Sequence, residues 1–202
     1  MKRIFHISLI ALLLVIGCSN GSIVNIKPPN NVEEVVFKKF IGVPMLLSME
    51  GSYVALNNEW VLTAKHNRLL FIGYEFIGHP ECDVALVRVN SELRVRTDNI
   101  YTEQASYFSG YPIGSGFTST AGYYVGDITV PGEDCAYSAS TNHVSSGMSG
   151  GAVTNGNGDL VGVIIGFQRG VIEWEDGRSH NRPSVFISIN YIQDWIDSVI
   201  KQ

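Results

Sequence analysis

From about Val35 onward the chain is a succession of short apolar runs cut by Gly, Asn and Pro. They cover residues 43–47, 53–56, 60–63, 69–72 and 84–89, then 106–108, 123–125, 160–165 and 184–187. Runs this short do not make helices, and breaks at this spacing predict an all-β sandwich or barrel. The 21 Gly and 7 Pro supply the turns. No internal repeat or heptad competes with that pattern. One helix is predicted at the end, where Ile192, Trp195, Ile196 and Val199 fall at i, i+3, i+4 and i+7 with Gln193, Asp194 and Asp197 between them. Asn190 is its expected N-cap.

A chain of 202 residues, 45% apolar and 16% charged, folds rather than remaining disordered. It suffices for one large domain, or two small lobes sharing a core. The 14 basic residues face 19 acidic ones, a net −5. That balance argues against a nucleic-acid binder, which needs a basic footprint.

The first residues read as an export signal. Lys2 and Arg3 precede a mostly apolar stretch over 4–16, interrupted by His6 and Ser8. That stretch is shorter than the roughly 20 residues of a spanning helix. Its end, Val15-Ile16-Gly17-Cys18, resembles the lipobox of bacterial lipoproteins. The resemblance implies cleavage before Cys18 and acylation of that cysteine; the alternative is an ordinary signal with a chance Cys. Acyl chains at Cys18 would anchor the protein stably. Ser19, rather than Asp, after the cysteine resembles sorting to the outer membrane, on the periplasmic side of the cell envelope. Without Lys2 and Arg3 the 14 basic residues fall to 12, against 19 acidic, a net −7. Residues 19–31, with Lys27-Pro28-Pro29-Asn30, read as a polar tether. The expected organisation is a signal over 1–17, lipidated Cys18 and tether over 18–34, and a folded domain over 35–202. Cys82 and Cys135 are then an even pair in an oxidising compartment, either bridged or two free thiols.

The chemistry concentrates in three places. Ser145-Ser146-Gly147-Met148-Ser149-Gly150-Gly151-Ala152-Val153 surrounds a serine with glycines ahead of a strand. Such a loop can expose a hydroxyl and turn backbone N–H groups toward an oxyanion. Alone it would read as a Gly/Ser hairpin turn. It is accompanied by Trp60-Val61-Leu62-Thr63-Ala64-Lys65-His66, an apolar strand ending in a histidine, and by Glu81-Cys82-Asp83-Val84-Ala85-Leu86-Val87, with an aspartate just before a strand. A serine hydroxyl becomes a nucleophile when a base takes its proton. A histidine is such a base, and an aspartate fixes its tautomer.

These stretches, in the order His, Asp, Ser, resemble the chymotrypsin-fold, trypsin-like serine proteases. Thr63-Ala64-Lys65-His66 is similar to that family's Thr-Ala-Ala-His, Asp83-Val84-Ala85-Leu86 to its Asp-Ile-Ala-Leu, and Gly147-Met148-Ser149-Gly150-Gly151 to its Gly-Asp-Ser-Gly-Gly. Gly110-Tyr111-Pro112-Ile113-Gly114 resembles a turn near the start of the second barrel. Asp159-Leu160-Val161-Gly162-Val163-Ile164 resembles the strand lining the substrate pocket. The resemblance covers roughly residues 43–200. It implies two antiparallel β-barrels, about 35–100 and 101–202, a C-terminal α-helix and a cleft between the barrels. It implies Ser149 as nucleophile, His66 as general base, Asp83 as its orienter, and the N–H groups of Gly147 and Ser149 as the oxyanion hole. His143, Ile164 and Gly166 would contact substrate.

Three departures qualify this. His66 and Asp83 are only 17 residues apart, so the first barrel is expected to be trimmed; Asp98 is the fallback for Asp83. Met148 stands where animal digestive members carry an aspartate that pairs with a freed N-terminal amine. His143 stands where trypsin carries an aspartate, which disfavours Arg and Lys and suits acidic or amide side chains; the alternative is an ordinary strand residue. His6 belongs to the signal, His79 to a turn and His180 to a surface loop. No His/Cys spacing suggests zinc and no glycine motif a nucleotide, so no cofactor or metal is expected. The expected activity is that of a lipid-anchored serine endopeptidase acting on a protein or peptide, with the membrane as its anchor. The alternative is a catalytically silent lipoprotein of the same fold that binds a partner protein.

Overall fold

The computed structural model describes residues 19–43, 47–130 and 132–201. The signal and Cys18 lie outside them. Thirteen strands are described, and the apolar runs account for most of them.

The first lobe is an antiparallel sheet of five strands. β1 (Val36–Val43) and β2 (Leu47–Ala55) form a long hairpin, followed by β3 (Trp60–Ala64), β4 (Phe76–Gly78) and β5 (Val84–Arg88). Their order is β1-β2-β3-β5-β4. The expected trimming is visible here: among the described residues this sheet does not close on itself. A 3₁₀ helix, Lys65–Phe71, lies on it instead. The run 69–72, expected as a strand, falls largely in this helix. Leu70 and Phe71 are both buried, whereas Leu69 and Ile72 are 54% and 75% exposed. A strand would send adjacent side chains to opposite faces; a helical turn lets two consecutive ones pack on the same lobe.

The second lobe is a closed barrel. It contains β6 (Ala105–Gly110), β7 (Thr118–Thr129), β8 (Ala136–Ser140), β9 (Ala152–Thr154), β10 (Leu160–Phe167) and β13 (Ser184–Ser188). The order around it is β10-β13-β8-β7-β6-β9, and β9 pairs with β10 to close it. β11 (Val171–Glu173) and β12 (Ser179–Asn181) make a separate hairpin.

One core joins the lobes. Leu62, Val84 and Leu86 of the first sheet pack with Ala152, Leu160, Val163 and Ile187 of the barrel. The C-terminal helix (Ile189–Ile200) adds Ile189, Ile192, Ile196 and Val199 to the same cluster. The predicted apolar stripe is therefore its buried face. Its N-cap is Ser188, not Asn190, because the helix begins where β13 ends. β3 is buried at every position, since it sits between this core and the first lobe's own cluster of Val61, Leu70, Phe71 and Val87.

A disulfide joins Cys82 of the first lobe to Cys135 of the barrel, with Cα atoms 5.1 Å apart. It spans 53 residues of sequence, which in the chain-entropy account stabilises by about 4 kcal/mol. The stretch expected as a tether is packed down. The Ile26 amide donates to the Ser119 carbonyl, Asn25 accepts from the Ser119 amide, and the Asn30 side chain bonds the Asn157 carbonyl. Pro28 and Val32 are buried. Short polar stretches read as linkers when their partners lie far away in sequence, as they do here. Among the described residues no helix is long and apolar enough to cross a membrane.

Candidate active site

Sheet register builds the first half of the site. β3 and β5 are antiparallel partners with Ala64 opposite Val84. The chain leaving β3 and the chain entering β5 therefore meet at one sheet end. The Lys65 amide donates to the Asp83 carbonyl, and the His66 amide to Asp83 Oδ1 at 2.9 Å. The imidazole Nδ1 lies 2.6 Å from Asp83 Oδ2. A carboxylate only accepts, so Nδ1 carries the hydrogen and Nε2 of the neutral ring is free to take a proton. The His66 side chain is half-exposed, at 48%, and Asp83 less so.

The turn before Asp83 is built by His79, which the sequence marks only as a turn residue. Its Nδ1 accepts the amides of Glu81 and Cys82 at 3.1 and 3.0 Å. Lys65 Nζ donates to its carbonyl, and the buried ring meets Trp195 edge-on. Burial lowers its pKa, with Lys65 adding to the effect and Glu81 opposing it. The disulfide at Cys82 secures the same turn. Asp98, the fallback, accepts from Asn155 instead.

The second half is the loop between β8 and β9. Successive tight turns carry it: the Met148 amide bonds the Ser145 carbonyl and the Gly151 amide the Met148 carbonyl. Gly147 and Gly150 have φ of +93° and +88°. A side chain at Gly150 would overlap the Ser52 carbonyl oxygen, and one at Gly147 would press on the Tyr111 carbonyl. Both positions are thus closed to other residues by conformation and by space. Met148 is fully buried among Phe108, Val153 and Phe186, where it holds the loop by packing.

First-lobe side chains hold the loop across the cleft, Thr63 from the motif before His66 and Ser52 and Asn67 from outside the motifs. Ser52 is fully buried; its amide donates to the Ser149 carbonyl and its hydroxyl to the Gly147 carbonyl. Asn67, next to His66, donates to the Ser149 carbonyl at 2.9 Å and to Thr63 Oγ1. Thr63 Oγ1 in turn donates to the Ser52 carbonyl. Thr63 belongs to the Thr63-Ala64-Lys65-His66 stretch, whereas nothing in the sequence marks Asn67 or Ser52, which just precedes the apolar run 53–56. This network brings Ser149 to the His66 segment. Among the described residues, the amides of Gly147 and Ser149 donate to no protein acceptor.

The Ser149 hydroxyl donates to the Ile165 carbonyl at 2.8 Å rather than to His66. β10 has a bulge there, with Ile164 opposite Phe186 and Gly166 opposite Val185, so Ile165 is the extra residue. Ile164 is not a substrate contact through its side chain, which is fully buried in the barrel core. Its backbone instead pairs with Gly150 and Gly151. Gly166 faces open space at its Cα. His143 is exposed, and its Nδ1 donates to the Ser22 carbonyl at 2.8 Å.

No protein-family model and no curated protein matches this sequence. Solved structures do. The HtrA-type protease AlgW with a decapeptide is 19% identical at a TM-score of 0.60, over 83% of this chain and 63% of that one. Its serine-to-alanine variant with a tripeptide is 19% identical at a TM-score of 0.63, over 83% of this chain and 60% of that one. The inactive form of the Rv3671c protease is 17% identical at a TM-score of 0.61, over 87% and 98%. The chain thus spans somewhat under two thirds of the length of the HtrA-type structures and nearly all of the Rv3671c structure. With the closed barrel, the facing sheet and the C-terminal helix, these likenesses show that the chain has the chymotrypsin-like fold of serine proteases.

Proposed function

We propose that the protein is a serine endopeptidase that works through His66, Asp83 and Ser149. The observation that carries this reading is the His66–Asp83 pair, whose bond occupies Nδ1 and leaves Nε2 as a base beside the Ser149 loop. Substrate entry turns the Ser149 hydroxyl away from the Ile165 carbonyl. Its proton passes to His66 Nε2 as Oγ bonds the scissile carbonyl carbon. The amides of Gly147 and Ser149 take the oxyanion. The C–N bond then breaks, His66 returns the proton to the leaving amine, and an acyl-serine remains. Water, deprotonated by the same imidazole, releases the acid and restores Ser149. Asp83 keeps its charge throughout and steadies the imidazolium.

Substrates are proteins or peptides, as with the peptide-bound AlgW structures. His143 with Nδ1 donating to Ser22 offers, when neutral, an acceptor at Nε2; this suits an amide N–H such as that of Gln. A protonated ring would suit a carboxylate. On the lipobox reading the enzyme is held to the periplasmic side of the outer membrane by acyl chains on Cys18.

The alternative, a silent member that binds a partner, draws support from the Ser149 hydroxyl's bond to Ile165. One experiment separates the two. The full chain is exported from a bacterial host, and envelope fractions are treated with a fluorophosphonate probe and assayed on casein. The reading expects one labelled band in the membrane fraction, casein cleavage, and loss of both with Ser149→Ala in a protein that melts as the unmodified one does. Cys18→Ser moves the label to the soluble fraction. Full casein cleavage by folded Ser149→Ala would sink the assignment, and an unlabelled, inactive but folded parent would favour the partner-binding reading.

A further inference from the structure

The first half of the Ser149 loop has its own clasp. Residues 141–145 leave β8 without regular structure. The chain segment 19–22 grips four consecutive residues of that stretch. Ser19 bridges Ser145 in antiparallel fashion, and the His143 imidazole donates to the Ser22 carbonyl. The Asn20 side chain does most. Its Oδ1 accepts the Val144 amide at 2.8 Å. Its Nδ2 reaches the Asn142 carbonyl at 3.2 Å, the Arg182 carbonyl at 2.9 Å and the Ser184 hydroxyl at 3.0 Å. Arg182 completes the grip, since its guanidinium donates to the Ser19 carbonyl at 2.7 Å. Arg182 has a φ of +52°, a conformation that a non-glycine residue holds only when its surroundings impose it. Gly21 has no side chain, and a Cβ there would fall 2.6 Å from the His143 ring, so a larger residue would displace the ring from its place over the segment.

We propose that Asn20 is a positioning residue for the candidate active site, and that segment 19–22 clasps the loop which presents Gly147 and Ser149. The inference rests on the endopeptidase reading for its consequence on activity, though not for the clasp itself. Met148 has no carboxylate with which an amine could fix this loop. Met148 packs it from inside the barrel, and Asn20 ties it from outside. A carboxamide suits the task because it donates to carbonyls and accepts from an amide at one point. Three of those partners are backbone groups of the loop or its neighbour, the Val144 amide and the Asn142 and Arg182 carbonyls, and the fourth, the Ser184 hydroxyl, itself donates to the Asn142 carbonyl.

The test uses the exported full chain with Asn20→Ala, Asn20→Asp and, as control, Asn25→Ala. Asn25 lies three residues beyond segment 19–22 and bonds Ser119 and Phe117, on β7 and just before it. Two readouts are taken: hydrogen exchange of peptides covering 142–149, and rates of peptide hydrolysis and fluorophosphonate labelling. The clasp predicts that both Asn20 variants speed exchange at 142–149 roughly tenfold while peptides of β6 exchange as before. Hydrolysis and labelling fall together by about the same factor, and reaction with the probe restores protection to the loop. Asn25→Ala changes neither. Unchanged loop exchange with Asn20→Ala, or an equal loosening with Asn25→Ala, overturns the proposal. A parent protein that neither cleaves nor labels defeats the endopeptidase reading, and the exchange measurement still decides the clasp.

Discussion

The two halves of the candidate site are held in different ways. On the first lobe, His66 and Asp83 meet because β3 and β5 are paired in one register, and His79 and Cys82 brace the turn between them. These contacts join residues at most 28 apart, and 17 for His66 and Asp83 themselves, apart from the disulfide. On the barrel side, Ser149 sits in a loop held by Met148 beneath it and the bulge at Ile165, and by pieces far away in sequence, Ser52 and Asn67 across the cleft and Asn20 outside. The His66–Asp83 pair is built by one end of a sheet. The Ser149 loop, whose Gly147 and Ser149 amides have no protein acceptor among the described residues, is a tertiary object, because groups left unpaired cannot also hold the loop. Substitutions on the first lobe should thus change chemistry and spare the fold, whereas those in the Ser149 loop should change both.

The largest effect is expected from Asp83→Asn. An amide N–H would replace the acceptor at Nδ1 and favour the wrong imidazole tautomer. On the endopeptidase reading kcat falls about 10⁴-fold while Tm hardly moves. Rates normalised to fluorophosphonate-titrated sites and a thermal melt check this. A loss below about tenfold would remove Asp83 from the orienting role.

Met148→Ala comes next. It empties a fully buried site in the barrel core, and such truncations cost about 2–5 kcal/mol. Urea unfolding gives the stability, and titratable sites per molecule report the loop. Retained stability would mean that the loop needs no support from the core, and the contrast between the halves would collapse.

The smallest effect is a pH dependence of the first lobe. His79 is kept neutral by burial, and its Nδ1 accepts two amides. Its pKa lies below the ordinary 6.5, so the unfolded chain binds the proton more readily. Its contribution is complete above pH 6.5 and lost as pH falls through the lowered value. Tm should decline from pH 7 toward pH 5, and less so in His79→Gln. Equal slopes in the two proteins would assign the decline to another group.

The sequence by itself determined the β class and the closing helix, and it singled out His66 and Asp83, which the fold pairs. Apolar periodicity reports burial, and the ordered His, Asp and Ser at strand ends and a glycine turn carry the resemblance to the fold. Tertiary structure decided which strands close. Among the described residues the barrel closes while the first sheet stays open, with Leu70 and Phe71 on a 3₁₀ turn packed against it. It also buried Ile164 and offered the Ile165 carbonyl in its place, because a bulge shifts the strand by one residue. It turned an expected tether into a clasp. The reason is common to all three: a polar or apolar residue type says that a partner is needed but not which one. Ser52 reaches Gly147 across 95 residues and Asn20 reaches Ser184 across 164, separations that only the folded chain brings to hydrogen-bond distance.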